Sequence, residues 1–181
     1  GNQAGALTEF DLPSPRTAYG KSKLAAENYV RDLCPRHLIV RSSWVYGGGS
    51  GSTEKQDYFM YVDRHGRNGT PFDAPVDVVS TPTSASELAR FVCCLLDKTE
   101  YGIYHASCEG MCTRFEFAKT ILSLMGYDVS LVRETHAAQD GRQICTLLEN
   151  LMMKMTEIYT MPDWLEDLKA YVELVKQTEA E

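Results

Sequence analysis

The run His37-Leu38-Ile39-Val40-Arg41 constrains this chain more than any other stretch. Three apolar residues in succession fit neither the alternation of a half-solvated strand nor the 3.6-residue period of an amphipathic helix. The run is too short for a buried helix, and Pro35 ends whatever helix precedes it. A strand covered on both faces is the reading that remains, and such strands belong to parallel sheets flanked by helices.

The neighbouring segments agree. Thr17 to Leu33 reads as a helix with Ala26, Val30 and Leu33 on one apolar face. A second helix is expected from about Glu54 to His65, then loop over 66–82 with a weak strand near Val76–Val79. Ser84-Ala85-Ser86-Glu87 and Thr113-Arg114-Phe115-Glu116 have the form of capping boxes. They predict helices reaching Leu96 and Gly126. Gly102–Ser107 and Asp128–Arg133 read as strands, Leu148–Met155 as a short helix, and Asp163–Lys176 as a last amphipathic one. Strands and helices alternate, which places the chain in the α/β class with a parallel sheet and a helical C-terminal portion. The strands are few, and so small a sheet leaves its edges exposed.

Composition removes several function classes. A hydrophobic share of 44% supports a buried core. The net charge of −7 and scattered basic residues argue against nucleic acid, which needs clustered Lys and Arg. No apolar run approaches the roughly eighteen residues of a membrane span. The six cysteines form no C-x-x-C pair and are read as thiols of a cytoplasmic protein. The four histidines lie far apart with no ligand spacing to one another or to a cysteine, so no metal site is expected.

The chemistry sits on the first helix. Tyr19 and Lys23 are four apart and project from one face. Phenols ionise near pH 10, and a cation within about 4–6 Å favours the phenolate. Such a pair can give a proton to an oxygen that gains charge during carbonyl reduction. The spacing alone is weakly specific, because a lysine stem packed on a tyrosine ring is a common helix-surface pair. The glycine run Gly47-Gly48-Gly49-Ser50-Gly51-Ser52 matches neither phosphate-loop pattern and reads as a flexible loop over the site.

The residues around the pair carry more. Tyr19-Gly20-Lys21-Ser22-Lys23-Leu24-Ala25-Ala26-Glu27, followed by Leu38-Ile39-Val40-Arg41-Ser42-Ser43-Trp44-Val45-Tyr46-Gly47, resembles the extended short-chain dehydrogenases. Within them it is most similar to the dTDP-4-dehydrorhamnose reductase family. The likeness continues in Thr81-Pro82-Thr83, Gly102-Ile103-Tyr104-His105-Ala106, Phe115-Glu116-Phe117-Ala118 and Met161-Pro162-Asp163-Trp164-Leu165-Glu166-Asp167-Leu168, nearly the whole chain. It implies one unit over 1–181, the C-terminal portion of a Rossmann-like parallel sheet plus a small helical substrate-binding region. It also implies roles. Tyr19 would protonate the C4 oxygen of a nucleotide-linked 4-keto sugar while NADPH or NADH delivers hydride. Lys23 would hold the nicotinamide ribose, Ser42 and Ser43 would lie near the nicotinamide, and Trp44 would face the sugar nucleotide. An equal alternative for Trp44 is a core or loop-anchoring aromatic.

The pattern is incomplete. In the family the glycine fingerprint for the dinucleotide lies upstream of the Tyr-Lys pair, as does the Ser or Thr of the catalytic set, and no G-x-G-x-x-G stands here. The expectation is a C-terminal part that does not turn over alone. Asp57-Tyr58-Phe59 replaces the family's Asn-Phe, and Asp77-Val78-Val79-Ser80 its Asp-Gln-x-Gly, both toward the substrate side. Two alternatives stay open: a non-catalytic sugar-nucleotide-binding or regulatory subunit on the same fold, and a nucleotide-sugar epimerase or dehydratase.

Overall fold

The chain folds as α1 (Ala18–Leu33), β1 (Leu38–Arg41), β2 (Val45–Tyr46), α2 (Tyr58–Asn68), β3 (Phe72–Pro75), β4 (Val79–Ser80), β5 (Thr83–Ser84) and α3 (Ala85–Leu96). There follow β6 (Gly102–His105), β7 (Cys112–Thr113), α4 (Arg114–Met125), β8 (Val132–Thr135), β9 (Cys145–Thr146), α5 (Leu151–Thr156) and α6 (Trp164–Ala180). This computed structural model describes residues 5–47, 57–137 and 145–180. Among the described residues four of the five strand pairings are parallel: β1 with β6, β2 with β5, β3 with β8 and β4 with β9. Of these five, only β4 with β7 is antiparallel. The α/β class with parallel strands is therefore the observed one. No helix among the described residues is long and apolar enough to cross a membrane.

Local chemistry sets the helix ends. The Thr17 hydroxyl accepts the Gly20 N–H at 3.1 Å and starts α1. Asp57 accepts the Met60 N–H at 2.9 Å, so α2 begins four residues later than Glu54 and ends at Gly69 in the left-handed region. Residues 54–56 of the expected helix lie outside the described residues. Thr113 and Glu116 complete a reciprocal capping box on α4, and Gly126 closes that helix. The box expected at Ser84 is half-formed. Ser84 Oγ accepts the Glu87 N–H, but the Glu87 carboxylate binds Arg90 and the Tyr159 hydroxyl instead of reaching back.

Several strands depart from expectation: the two-residue β2, β5, β7 and β9 were not foreseen, and β4 starts at Val79, where the weak strand expected near Val76–Val79 was to end. The strand expected from Asp128 starts only at Val132. Asp128 captures the Ser130 N–H at 2.8 Å and its hydroxyl at 2.8 Å, which curls Val129–Leu131 into a 3₁₀ turn. β3 was hidden in the stretch read as loop. Phe72 and Ala74 alternate with outward residues, and Pro75 ends the strand.

Two apolar clusters hold the chain together. One gathers Phe59 and Val62 of α2, Phe72 of β3, Phe117 of α4, and Leu168 and Val172 of α6. The other joins Phe91 and Leu95 of α3, Tyr104 of β6, Met153 of α5 and Met161. Asp167, buried on α6, accepts the Tyr46 hydroxyl at 2.9 Å, and both the Ser84 N–H and the Ser84 hydroxyl at 2.7 Å. It thereby ties α6 to β2 and β5. Burial, then the charge of Asp167, pushes the Tyr46 phenol far up, so it stays a donor.

The apolar face expected on α1 is not buried. No α1 residue is buried, and Leu33 is 76% exposed. The physical reason lies in the sheet: among the described residues β1 has one neighbour, β6, and its other edge is open. The two-faced burial expected for β1 is correspondingly incomplete. Leu38 and Val40 pack against the second cluster and remain half-buried; only Ile39 is buried.

Candidate active site

Tyr19 and Lys23 meet as their spacing requires. The ammonium lies 5.4 Å from the centroid of the Tyr19 ring, within the range of cation–π attraction. Tyr19 as a whole residue is 72% exposed, which leaves its side chain open to a reacting group. Lys23 is exposed and forms no ion pair among the described residues. The helix is held over the sheet by one contact of note. Glu27 takes Arg41, the last residue of β1, through two hydrogen bonds of 2.9 and 2.6 Å.

Ser42, Ser43 and Trp44 follow directly at the carboxyl end of β1, where parallel sheets present their ligand crevice. The Ser42 hydroxyl is buried without a hydrogen-bond partner among the described residues. An orphaned polar atom of this kind costs free energy unless something outside the chain engages it, and it fits a cofactor's polar group. Ser43 is engaged differently. Its hydroxyl joins Ser80 and the Thr146 carbonyl in a buried cluster that Thr146 Oγ1 extends at 2.7 Å to Ser80. That knot ties the turn between β1 and β2 to β4 and β9.

Trp44 is forced into the left-handed region at φ 31, a placement costing roughly 1–3 kcal/mol for a bulky residue. The Thr83 N–H holds its carbonyl at 3.3 Å. Over its ring, 3.7 Å from the centroid, lies the guanidinium carbon of Arg114, whose other side faces Tyr58 at 4.4 Å. Burial pushes the Tyr58 phenol up to about 12, against the pull of Arg114. Sequence reasoning missed both residues. Each stands first in a capped helix, which was legible, but nothing in spacing brings α2 and α4 to Trp44.

Gly47 bends away at φ 82 with its N–H on Asp57 at 2.9 Å, and a side chain there would strike the Tyr171 ring at 2.6 Å. The remainder of the glycine run, 48–52, lies outside the described residues. The substituted Asp57 is thus a cap for α2 and an anchor for Gly47. Asp77 accepts the Ala137 N–H at 2.8 Å and pairs with His136 at 3.3 Å.

The profile of the RmlD substrate binding domain matches residues 1–177. The chain belongs to that family. The dTDP-4-dehydrorhamnose reductase of Mycolicibacterium smegmatis is 30% identical over 170 residues, 91% of this chain and 51% of that protein. The crystal structure of a Clostridium acetobutylicum dTDP-4-dehydrorhamnose reductase superposes with a TM-score of 0.86 at 34% identity, covering 97% of this chain and 62% of that one. A Bacillus anthracis dTDP-4-dehydrorhamnose reductase, solved in complex with NADP, gives 0.81 at 28% identity over 92% and 58%. This RmlD-family chain spans about half the length of the curated relatives it matches.

Proposed function

We propose that this chain is the proton-donating and substrate-binding part of an NADPH-dependent reductase of a nucleotide-linked 4-keto sugar, working in the cytoplasm. The observation that carries the reading is Tyr19, open to solvent and accompanied by Lys23 one turn on, in a chain of the RmlD family. The Bacillus anthracis relative's NADP complex and the relatives' names support the cofactor and the substrate class.

In this reading Tyr19 hands its hydroxyl proton to the sugar oxygen, and Lys23 stabilises the phenolate left behind and holds the ribose of the cofactor. Ser42 offers its unpartnered hydroxyl to the nicotinamide side, with Ser43 fixing the turn from behind, and Trp44 faces the sugar nucleotide. NADPH, when bound, supplies the hydride. The chain carries no glycine fingerprint of its own, so turnover requires a strand–glycine–helix unit joined to it upstream.

The test is NADPH oxidation with dTDP-4-dehydrorhamnose. The 181-residue chain is expected to show no turnover, and a form extended upstream by such a unit to show it. Tyr19→Phe in the extended form should lower kcat by roughly 10²–10⁴-fold, the usual size of lost general-acid catalysis. Unchanged kcat in that variant overturns the reductase mechanism and favours the regulatory alternative.

A further inference from the structure

Arg114 has aromatic company for its charge but no counter-ion among the described residues. Its guanidinium is packed between the rings of Trp44 and Tyr58, and that burial lowers its proton affinity below the ordinary arginine value. Only Tyr58 and Cys112 oppose the shift, and no carboxylate among the described residues contributes. It makes no ion pair and no side-chain hydrogen bond among the described residues. It is also the first residue of α4, next to the positive end of the helix dipole, where a cation is unfavourable.

The aromatic rings engage the charge of the guanidinium without giving its five N–H donors an ordinary acceptor, and an arginine remains charged even when desolvated. Burial, absence of a counter-ion and helix dipole are all relieved at once by an anion at those donors. A phosphate matches the planar fork through two parallel hydrogen bonds. The sandwich lies beside Trp44, directly after the carboxyl end of β1, where the ligand crevice of a parallel sheet belongs.

We propose that Arg114, clamped between Trp44 and Tyr58, binds the diphosphate of the nucleotide-linked substrate. The assignment rests on the substrate class proposed above and adds the residue that holds its charged bridge. Trp44 then has two duties: it forms one wall of the clamp, and it reports on it, because its indole is in contact with the binding group.

The test titrates thymidine diphosphate into the 181-residue chain while following tryptophan fluorescence, with Trp164→Phe leaving Trp44 as the one indole that can report. Thymidine without phosphate and NADP⁺ are run in parallel. Saturable binding of the diphosphate and no response to thymidine are expected. Arg114→Met should raise the Kd for the diphosphate by roughly ten- to a hundred-fold, the range for losing a charged hydrogen-bonded pair. Arg114→Lys, which keeps the charge and loses the fork, should fall between, and NADP⁺, whose glycine fingerprint this sequence does not carry, should give no Arg114-dependent response. Circular dichroism melts establish that each variant is folded, and Arg114→Lys carries the test if Arg114→Met is not. The proposal is overturned if the parent chain shows no saturable response to the diphosphate. It is equally overturned if both variants bind within twofold of the parent, or if Arg114 affects NADP⁺ instead. The readout needs no turnover, so these outcomes are independent of whether Tyr19 proves to be the proton donor.

Discussion

His105 shows how a single residue couples the fold to pH. It closes β6, and its Nδ1 lies 3.1 Å from both the Leu7 and the Glu149 carbonyls, so it carries the proton and donates there. Nε2 is buried with no partner among the described residues. Protonating it would bury an unsatisfied charged donor, and burial accordingly lowers the His105 pKa, with Glu9 opposing. The folded state therefore binds fewer protons than the unfolded chain at and below the ordinary histidine range. By linkage the contribution of neutral His105 is complete above about pH 6.5 and is lost as pH falls through the folded value. Urea unfolding midpoints should fall between pH 7 and pH 5, and His105→Asn should flatten that slope while lowering stability at pH 7. A variant with the parent's full slope would assign the pH dependence to other groups. The same residue belongs to the Gly102–Ala106 stretch that marks the family, yet no spacing rule says which of its atoms is satisfied.

Among the elements, α2 and α4 illustrate a contest between propensity and packing. Gly66 lies inside α2, where alanine would favour the helix by about 1 kcal/mol. The Tyr127 ring, just after α4, occupies the space a Cβ would need, and the near end of a ring anchored by its hydroxyl to Asp63 at 3.0 Å does not give way easily. Overpacking of this kind costs about 1–3 kcal/mol, so steric cost wins. Gly66→Ala is expected to lower the urea midpoint with an unchanged m-value, and a gain in stability would refute the packing argument. Elements were legible where a local device announces them: the capping box and terminal glycine of α4, the proline before β1, the threonine opening α1. They were illegible where a side chain redirects the backbone, as Asp128 does before β8, or where the alternation is only four residues long, as in β3.

At the level of the whole molecule, the structure is secured on one side and open on the other. Two apolar clusters and the Asp167 hub lock α2 to α6. By contrast α1 leaves Tyr29 and Leu33 in solvent and β1 keeps an unpaired edge among the described residues. Exposed apolar surface beside an open strand promotes association. Sedimentation velocity of the 181-residue chain should show concentration-dependent self-association, and Leu33→Lys should weaken it with little loss of stability, because Leu33 packs in neither cluster. Equal association by parent and variant would place the sticky surface elsewhere. The amino-acid sequence by itself determined the α/β class, most helix limits and the Tyr19–Lys23 pair, because each depends on residues within one helical turn or one short run. The tertiary structure alone decided that Ser43 is part of a hydroxyl knot, that α1 stays uncovered, and that Arg114 is clamped between Trp44 and Tyr58. Those facts join residues 37 to 103 positions apart, and contact over such distances follows from packing, which no local pattern encodes.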